Sequence, residues 1–161
     1  MSLTHWKGLV AAPITGLLKQ REFRKAGLKF YSTRPEATLL VGLQSSVGTT
    51  RKALRITCNL AIVLHGLGSH DNHDIWNSHW RKRIGDFMPE PRDHWWVCST
   101  DDTAGAAGRE MATLLESQAL SEMERLASRA AMIALWTSGH SPGLTKYQCA
   151  QYLRKFGPDS P

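Results

Sequence analysis

Residue types able to do chemistry gather in two places in this sequence. His65, His70 and His73, with Asp71, Asp74 and His79 close behind, form its densest group of metal-ligating side chains. Imidazole and carboxylate together suit zinc and other transition ions. The arrangement H-x4-H-x2-H on a glycine-rich stretch matches no established zinc spacing, so His65, His70 and His73 are weak metal candidates and no cofactor is expected. Downstream, Gly139-His140-Ser141-Pro142-Gly143 has the form G-x-S-x-G, in which a serine is presented as a nucleophile on a sharp turn.

That pentapeptide, together with Ile62-Val63-Leu64-His65-Gly66-Leu67-Gly68-Ser69, resembles the α/β-hydrolase family, where a His-Gly loop helps to build the oxyanion hole. The resemblance implies Ser141 as nucleophile and then requires an acid and a histidine later in the chain. No histidine follows Ser141, and the only later carboxylate side chain is Asp159. Pro142 also lacks the N–H that the oxyanion hole needs directly after the nucleophile. No catalytic residue is therefore assigned, and the sequence leans away from an enzyme.

With 161 residues, 42% hydrophobic and 21% charged, the chain has the size and composition of one folded domain, 1–161, with a core over about 13–156. Its apolar runs are far short of the ~20 residues a membrane span needs, and Pro13, Lys19 and Arg21 stand where a signal peptide would continue. A cytoplasmic, membrane-free protein is expected. Cys58, Cys98 and Cys149 form no disulfide or zinc pattern and read as buried free thiols. Charge is unevenly placed. Residues 1–55 hold ten Lys/Arg against Glu22 and Glu36, a local charge of +8, whereas the rest carries −2. A basic surface of Arg21, Arg24, Lys25, Lys29, Arg51 and Lys52 could attract phosphate or an acidic protein.

The elements that must position these groups follow from periodicity. Val10, Ile14, Leu17 and Leu18 predict a helix over 13–23, and the aromatic content of 28–32 predicts a short strand. Residues 37–45 and 54–65 predict a hairpin. In the second arm Leu54, Ile56, Cys58, Leu60, Ile62 and Leu64 share one face, which must be the core face. Trp76, Trp80, Ile84 and Phe87 predict a helix over 75–87, and 94–99 a fourth strand. A capped helix at Asp101, Asp102 or Thr103 and a further one to Trp136 follow, then a last helix from Thr145 to Gly157. The order predicts an α+β fold with an antiparallel sheet of about four strands packed against helices.

Several separated segments are similar to the uncharacterised bacterial family called domain of unknown function 4304. They are Phe23-Arg24-Lys25, Lys29-Phe30-Tyr31, Val41-Gly42-Leu43-Gln44-Ser45-Ser46, Ile56-Thr57-Cys58-Asn59-Leu60, Trp80-Arg81-Lys82-Arg83-Ile84-Gly85 and Asp93-His94-Trp95-Trp96. The resemblance runs from about residue 14 to 153. It implies a compact α+β domain and no assigned activity. Glu22 stands where the family has glycine, so the turn after the first helix must be built differently, and Ser45 stands where lysine is common.

Within these segments Gln44, Ser46, Thr57 and Asn59 fall on adjacent strands and can converge on the semi-polar sheet face. Arg81 or Arg83 with Trp95 or Trp96 would complete a concave polar-aromatic patch. The competing reading makes the amides structural and the tryptophans core. The expected function is a non-enzymatic binding or protein-interaction module, with the small inhibitor or immunity proteins of bacteria as the class it suggests. Nucleic-acid binding through the basic third is the alternative, with a hydrolase or metal enzyme last.

Overall fold

The computed structural model describes residues 2–67 and 73–157. Among them one antiparallel sheet of six strands carries helices on one face. Helix α1 (Leu3–Gln20) is followed by β1 (Arg24–Ala26), β2 (Lys29–Thr33), β3 (Ala37–Ser45) and β4 (Leu54–Leu64). Strand β5 (Trp80–Arg83) runs into a 3₁₀ turn (Ile84–Phe87), and β6 (Trp96–Cys98) leads to helix α2 (Asp101–Leu114). A π-helical turn (Leu115–Ala119) joins α2 to α3 (Leu120–Leu126), and α4 (Arg129–Thr137) and α5 (Lys146–Phe156) complete the chain. The strands lie in the order β1-β2-β3-β4-β5, with β6 also on the outer edge of β4, beside β5. No helix among the described residues is long and apolar enough to cross a membrane.

The α+β class and the antiparallel sheet are as the sequence predicts, with more strands than the four expected. The segment 75–87 is the clearest correction: it contains strand β5 and a 3₁₀ turn, not a helix. The spacing of its large side chains also fits alternation, because Trp80 enters the core while Arg81 and Arg83 face the other way, and β4 offers a free edge to pair with. Helix α1 starts ten residues earlier than expected. Ser2 caps it by accepting from the His5 N–H, and Pro13 sits inside it at the cost of one backbone hydrogen bond. There α1 crosses α2 so closely that a Cβ on Gly108 would stand 2.4 Å from the Val10 carbonyl oxygen.

The core lies between the helices and one sheet face. Leu39, Val41, Ile56, Cys58, Leu60 and Ile62 meet Val10, Ile14, Met111, Leu115, Met123 and Trp136 there. Along residues 101–126 the buried positions Met111, Leu115, Ala119 and Met123 advance four at a time, which an ideal helix would rotate off the core. The π turn absorbs the mismatch and keeps the stripe inward. Thr100 and Thr103 form a reciprocal capping box for α2, as do Thr145 and Gln148 for α5.

Glu22 resolves the question raised at the end of the first helix. Its N–H bonds to the Lys19 carbonyl and that of Phe23 to Leu18, so the helix closes in a Schellman motif, and Glu22 takes the left-handed position usually filled by glycine, with φ 67°. An L side chain there costs roughly 1–2 kcal/mol. Glu22→Gly relieves it and concedes part of the gain to a freer unfolded chain, so a net stabilisation of about 1 kcal/mol is expected in urea unfolding. Glu22→Ala keeps the strain and should give no such gain.

The three cysteines are free and buried. Burial pushes the Cys58 thiol up to about 12 from its ordinary 9. The native state therefore keeps this proton when the unfolded chain has released it. The stabilising contribution is complete below pH 9 and is lost as pH rises from 9 towards 12. The stability advantage of the wild type over Cys58→Ala should shrink across that window, measured by urea unfolding at stepped pH.

Candidate functional site

Among the described residues the second sheet face carries no helix. Register places Lys29, Gly42, Asn59 and Arg83 in one row across four strands, and Tyr31, Leu40, Ala61 and Arg81 in the next. Alternation on β4 therefore puts Asn59 in the centre of this face, where it is 3% exposed. Both ends of its amide are engaged. Asn59 Nδ2 donates to Gln44 Oε1 at 2.7 Å, and Asn59 Oδ1 accepts from Arg83 Nε at 3.3 Å. Arg83 Nη1 donates to both Asp93 oxygens at 2.7 and 2.8 Å, and its guanidinium lies 5.0 Å from the centre of the Trp95 ring. Thr57, opposite Gln44 in the register, donates to the His94 carbonyl at 2.9 Å and so holds the segment that carries Asp93 and Trp95.

Residues 73–76 lie across part of the same face. A Cβ on Gly42 would stand 2.5 Å from Ile75 Cδ1, so the missing side chain is the notch into which Ile75 fits. Ile75 packs there with Leu40, Ala61 and Val63. Lys29 Nζ donates to the His73 carbonyl at 2.7 Å, and Arg81 Nη1 to the Trp76 carbonyl at 3.0 Å. Trp76 is left 58% exposed, with Arg81 5.2 Å from the centre of its ring. On either side of Trp76 and Asn59 lie two hollows. One of about 340 Å³ is lined by Ala26, Leu28, Lys29, Leu43, Gln44 and Ile75, and one of about 290 Å³ by Arg81, Lys82, Arg83, Asp86 and Asp93.

Of the residues singled out from sequence, Gln44, Thr57, Asn59, Arg81, Arg83 and Trp95 come together. Ser46 and Trp96 do not. Ser46 lies in the hairpin turn, where its hydroxyl accepts from the Gly48 N–H. Trp96 pairs with Ile56 on the core side and donates its indole N–H to Glu110 at 2.9 Å. Neighbours in an extended segment point to opposite faces, so only one of Trp95 and Trp96 can reach the patch. Sequence reasoning missed Ile75, Trp76 and Asp93 as members of the site. The helix expected over 75–87 hid the first two, although Gly42 in a strongly apolar strand was a signal of close approach from another segment.

The basic residues do not form one surface. Arg24 and Lys29 share the open face with Tyr31, whereas Lys25 pairs with Phe30 and lies 5.9 Å from the centre of its ring on the helix side. Arg21 caps the end of α1, and Arg51 and Lys52 sit at the β3–β4 turn. The histidines are also dispersed in role. His65 Nε2 bonds to Thr38 Oγ1 at 2.8 Å, the His73 ring lies 4.1 Å from that of Tyr31, and His70 and Asp71 fall outside the described residues. Buried His79 accepts the Leu64 N–H on Nδ1. No group of three or more His, Cys, Asp or Glu among the described residues is arranged to hold a metal.

Ser141 is buried, and its hydroxyl donates to the His79 carbonyl at 3.0 Å rather than to an imidazole. The G-x-S-x-G segment follows a helix instead of a strand. Gly139, with φ 76°, comes just after α4, and the Pro142 carbonyl accepts the Arg81 N–H at 2.9 Å, extending the pairing beyond β5. The motif serves to seal a sheet edge.

No curated protein and no solved structure matches the chain. The model of the domain of unknown function family DUF4304 matches residues 14–125, from the middle of α1 through all six strands and nearly to the end of α3. With the whole sheet, its polar centre and the residues around it inside that match, this chain belongs to the DUF4304 family.

Proposed function

We propose that this domain is a binding module whose open sheet face holds a protein partner. The observation that supports this best is Trp76: a large aromatic side chain, more than half exposed, stands between two hollows beside a preorganised polar cluster. Exposed aromatics next to arginine are the usual anchors of protein interfaces, and a side chain already held in place loses little freedom on binding. The buried free cysteines suit a reducing compartment, and we place the module in the bacterial cytoplasm on that ground and on its family's character. A small inhibitor that covers an acidic target is the kind of partnership this favours.

A photo-crosslinking amino acid placed at Trp76 in cells should capture a discrete partner, whereas the same group at fully exposed Val47 in the hairpin turn should not. Equal adducts from both positions, or none from Trp76, would count against the reading. Adducts removed by nuclease treatment would instead favour the nucleic-acid alternative.

A further inference from the structure

We propose that the groove over Asn59 is a docking site for an extended acidic segment of the partner, with one bulky apolar side chain between its carboxylates. This deepens the binding-module reading and rests on it.

The two hollows differ in chemistry. Ala26, Leu28, Leu43 and Ile75 give the first an apolar lining, which suits an anchor side chain seated beside the Trp76 ring. At its margin stands Lys29, and on the other side of Trp76 stands Arg81. Neither cation makes an ion pair with a described residue, and each is held by a backbone carbonyl of the segment that crosses the face, His73 for Lys29 and Trp76 for Arg81. Of the described carboxylates nearby, two are engaged. Asp93 is taken by Arg83, and Asp74 accepts the Trp76 N–H, while Asp86 lines the second hollow beside Lys82 and Arg83. Arg24 and Arg55 add positive charge to the same face by register.

A cation already positioned and partly desolvated, with no acidic partner among the described residues, lacks only an anion. Carboxylates meeting Lys29 and Arg81 would gain charge-assisted hydrogen bonds. Arg81 can donate from the edge of its guanidinium while its plane stays near the Trp76 ring. Lys29 and Arg83 stand three strand spacings apart along their row, about 14 Å, with Arg81 in the adjacent row. An extended peptide covers that span in about four residues, which leaves room for the apolar anchor between two acidic positions.

The test is selection of a random dodecapeptide display library on the full chain. The expected outcome is enrichment of Asp or Glu on both sides of Leu, Ile, Phe or Trp. The best peptide, made synthetically, should lose at least tenfold in affinity against Lys29→Gln or Arg81→Gln, and as much when its acids become Asn and Gln. The Lys29→Glu/Arg81→Glu double variant should prefer the Lys-substituted peptide, a reversal that mere loosening of the fold would not produce. Lys29→Arg should retain binding. Selected peptides without acidic enrichment, or acidic peptides indifferent to both Gln variants, would overturn the proposal. If neutral peptides are selected and Trp76→Ala abolishes their binding, the face is a docking site and only its charge chemistry is wrong. If no peptide is selected, or binding ignores Trp76→Ala, the binding-module reading fails with it.

Discussion

Gly85→Ala is expected to cost about 3 kcal/mol or more of folding stability, near the upper end for a single added methyl group. Gly85 is buried in the 3₁₀ turn after β5, and a Cβ there would stand 2.0 Å from the Arg92 carbonyl oxygen and 3.0 Å from the His94 nitrogen. Those atoms belong to backbone, which cannot swing aside as a side-chain end can. The turn and the connection to β6 are further tied by the Arg92 N–H, which bonds to the Gly85 carbonyl at 3.1 Å. Either that tie breaks or the connection moves outward. Because the connection carries Asp93 and Trp95, movement would also loosen Arg83, so the stability loss should come with a weakened open-face cluster. Urea unfolding measures the first effect. Gly16→Ala is the contrast: nothing lies within 4 Å of its would-be Cβ, so this change inside α1 should stabilise by about 0.5–1 kcal/mol through helix propensity. Equal effects of the two substitutions would show that close approach at Gly85 is not what the position demands.

Asn59→Ala is the second change with a large expected effect, a loss of about 2–3 kcal/mol. The amide satisfies Gln44 and Arg83 at once, and its removal leaves both with a missing partner at a buried site. It also empties the centre of the sheet face between Gly42 and Arg83, where no other side chain can fill the gap without moving. Gln44→Ala should cost less, since Gln44 is only half-buried and Asn59 keeps its bond to Arg83. If the chain of hydrogen bonds acts as a unit, the double variant should cost less than the two singles together by about 1 kcal/mol. Strict additivity would mean that the three groups merely sit side by side. A partner-binding defect in Gln44→Ala with unchanged stability would separate recognition from folding.

Local pattern was enough to read the central hairpin. β3 and β4 lie where the sequence placed the two arms of the hairpin, and the residues named as the core face of β4 do face the helices. Strong alternation bounded by turn residues leaves one way to bury the apolar set, and that is why Asn59 and Thr57 could be assigned to the opposite face before any coordinate was known. The cap at Thr145 was legible for the same local reason, whereas α2 is capped by Thr100, one residue before the Asp101, Asp102 or Thr103 expected, because Thr103 reaches back from the first turn to complete a capping box with it. Family membership, too, was carried by short segments whose order and spacing the sequence displays.

What local pattern could not decide was set by neighbours distant in the chain. The Trp80–Phe87 spacing fits a helix as well as an edge strand, and only the free edge of β4 made it a strand. Trp95 and Trp96 are equivalent as residue types, yet one lies near Arg83 on the open face while the other packs on the helix side and donates to Glu110 of α2, a choice fixed by where β6 meets β4. The serine of the hydrolase-like pentapeptide is spent on a backbone carbonyl because its loop closes the edge of β5. Composition and periodicity by themselves determined an α+β chain with one apolar and one semi-polar sheet face. Tertiary structure brought Ile75 into the notch of Gly42, set Trp76 on that face and left Lys29 and Arg81 without acidic partners among the described residues, because each contact joins strands or loops that sequence distance gives no reason to pair.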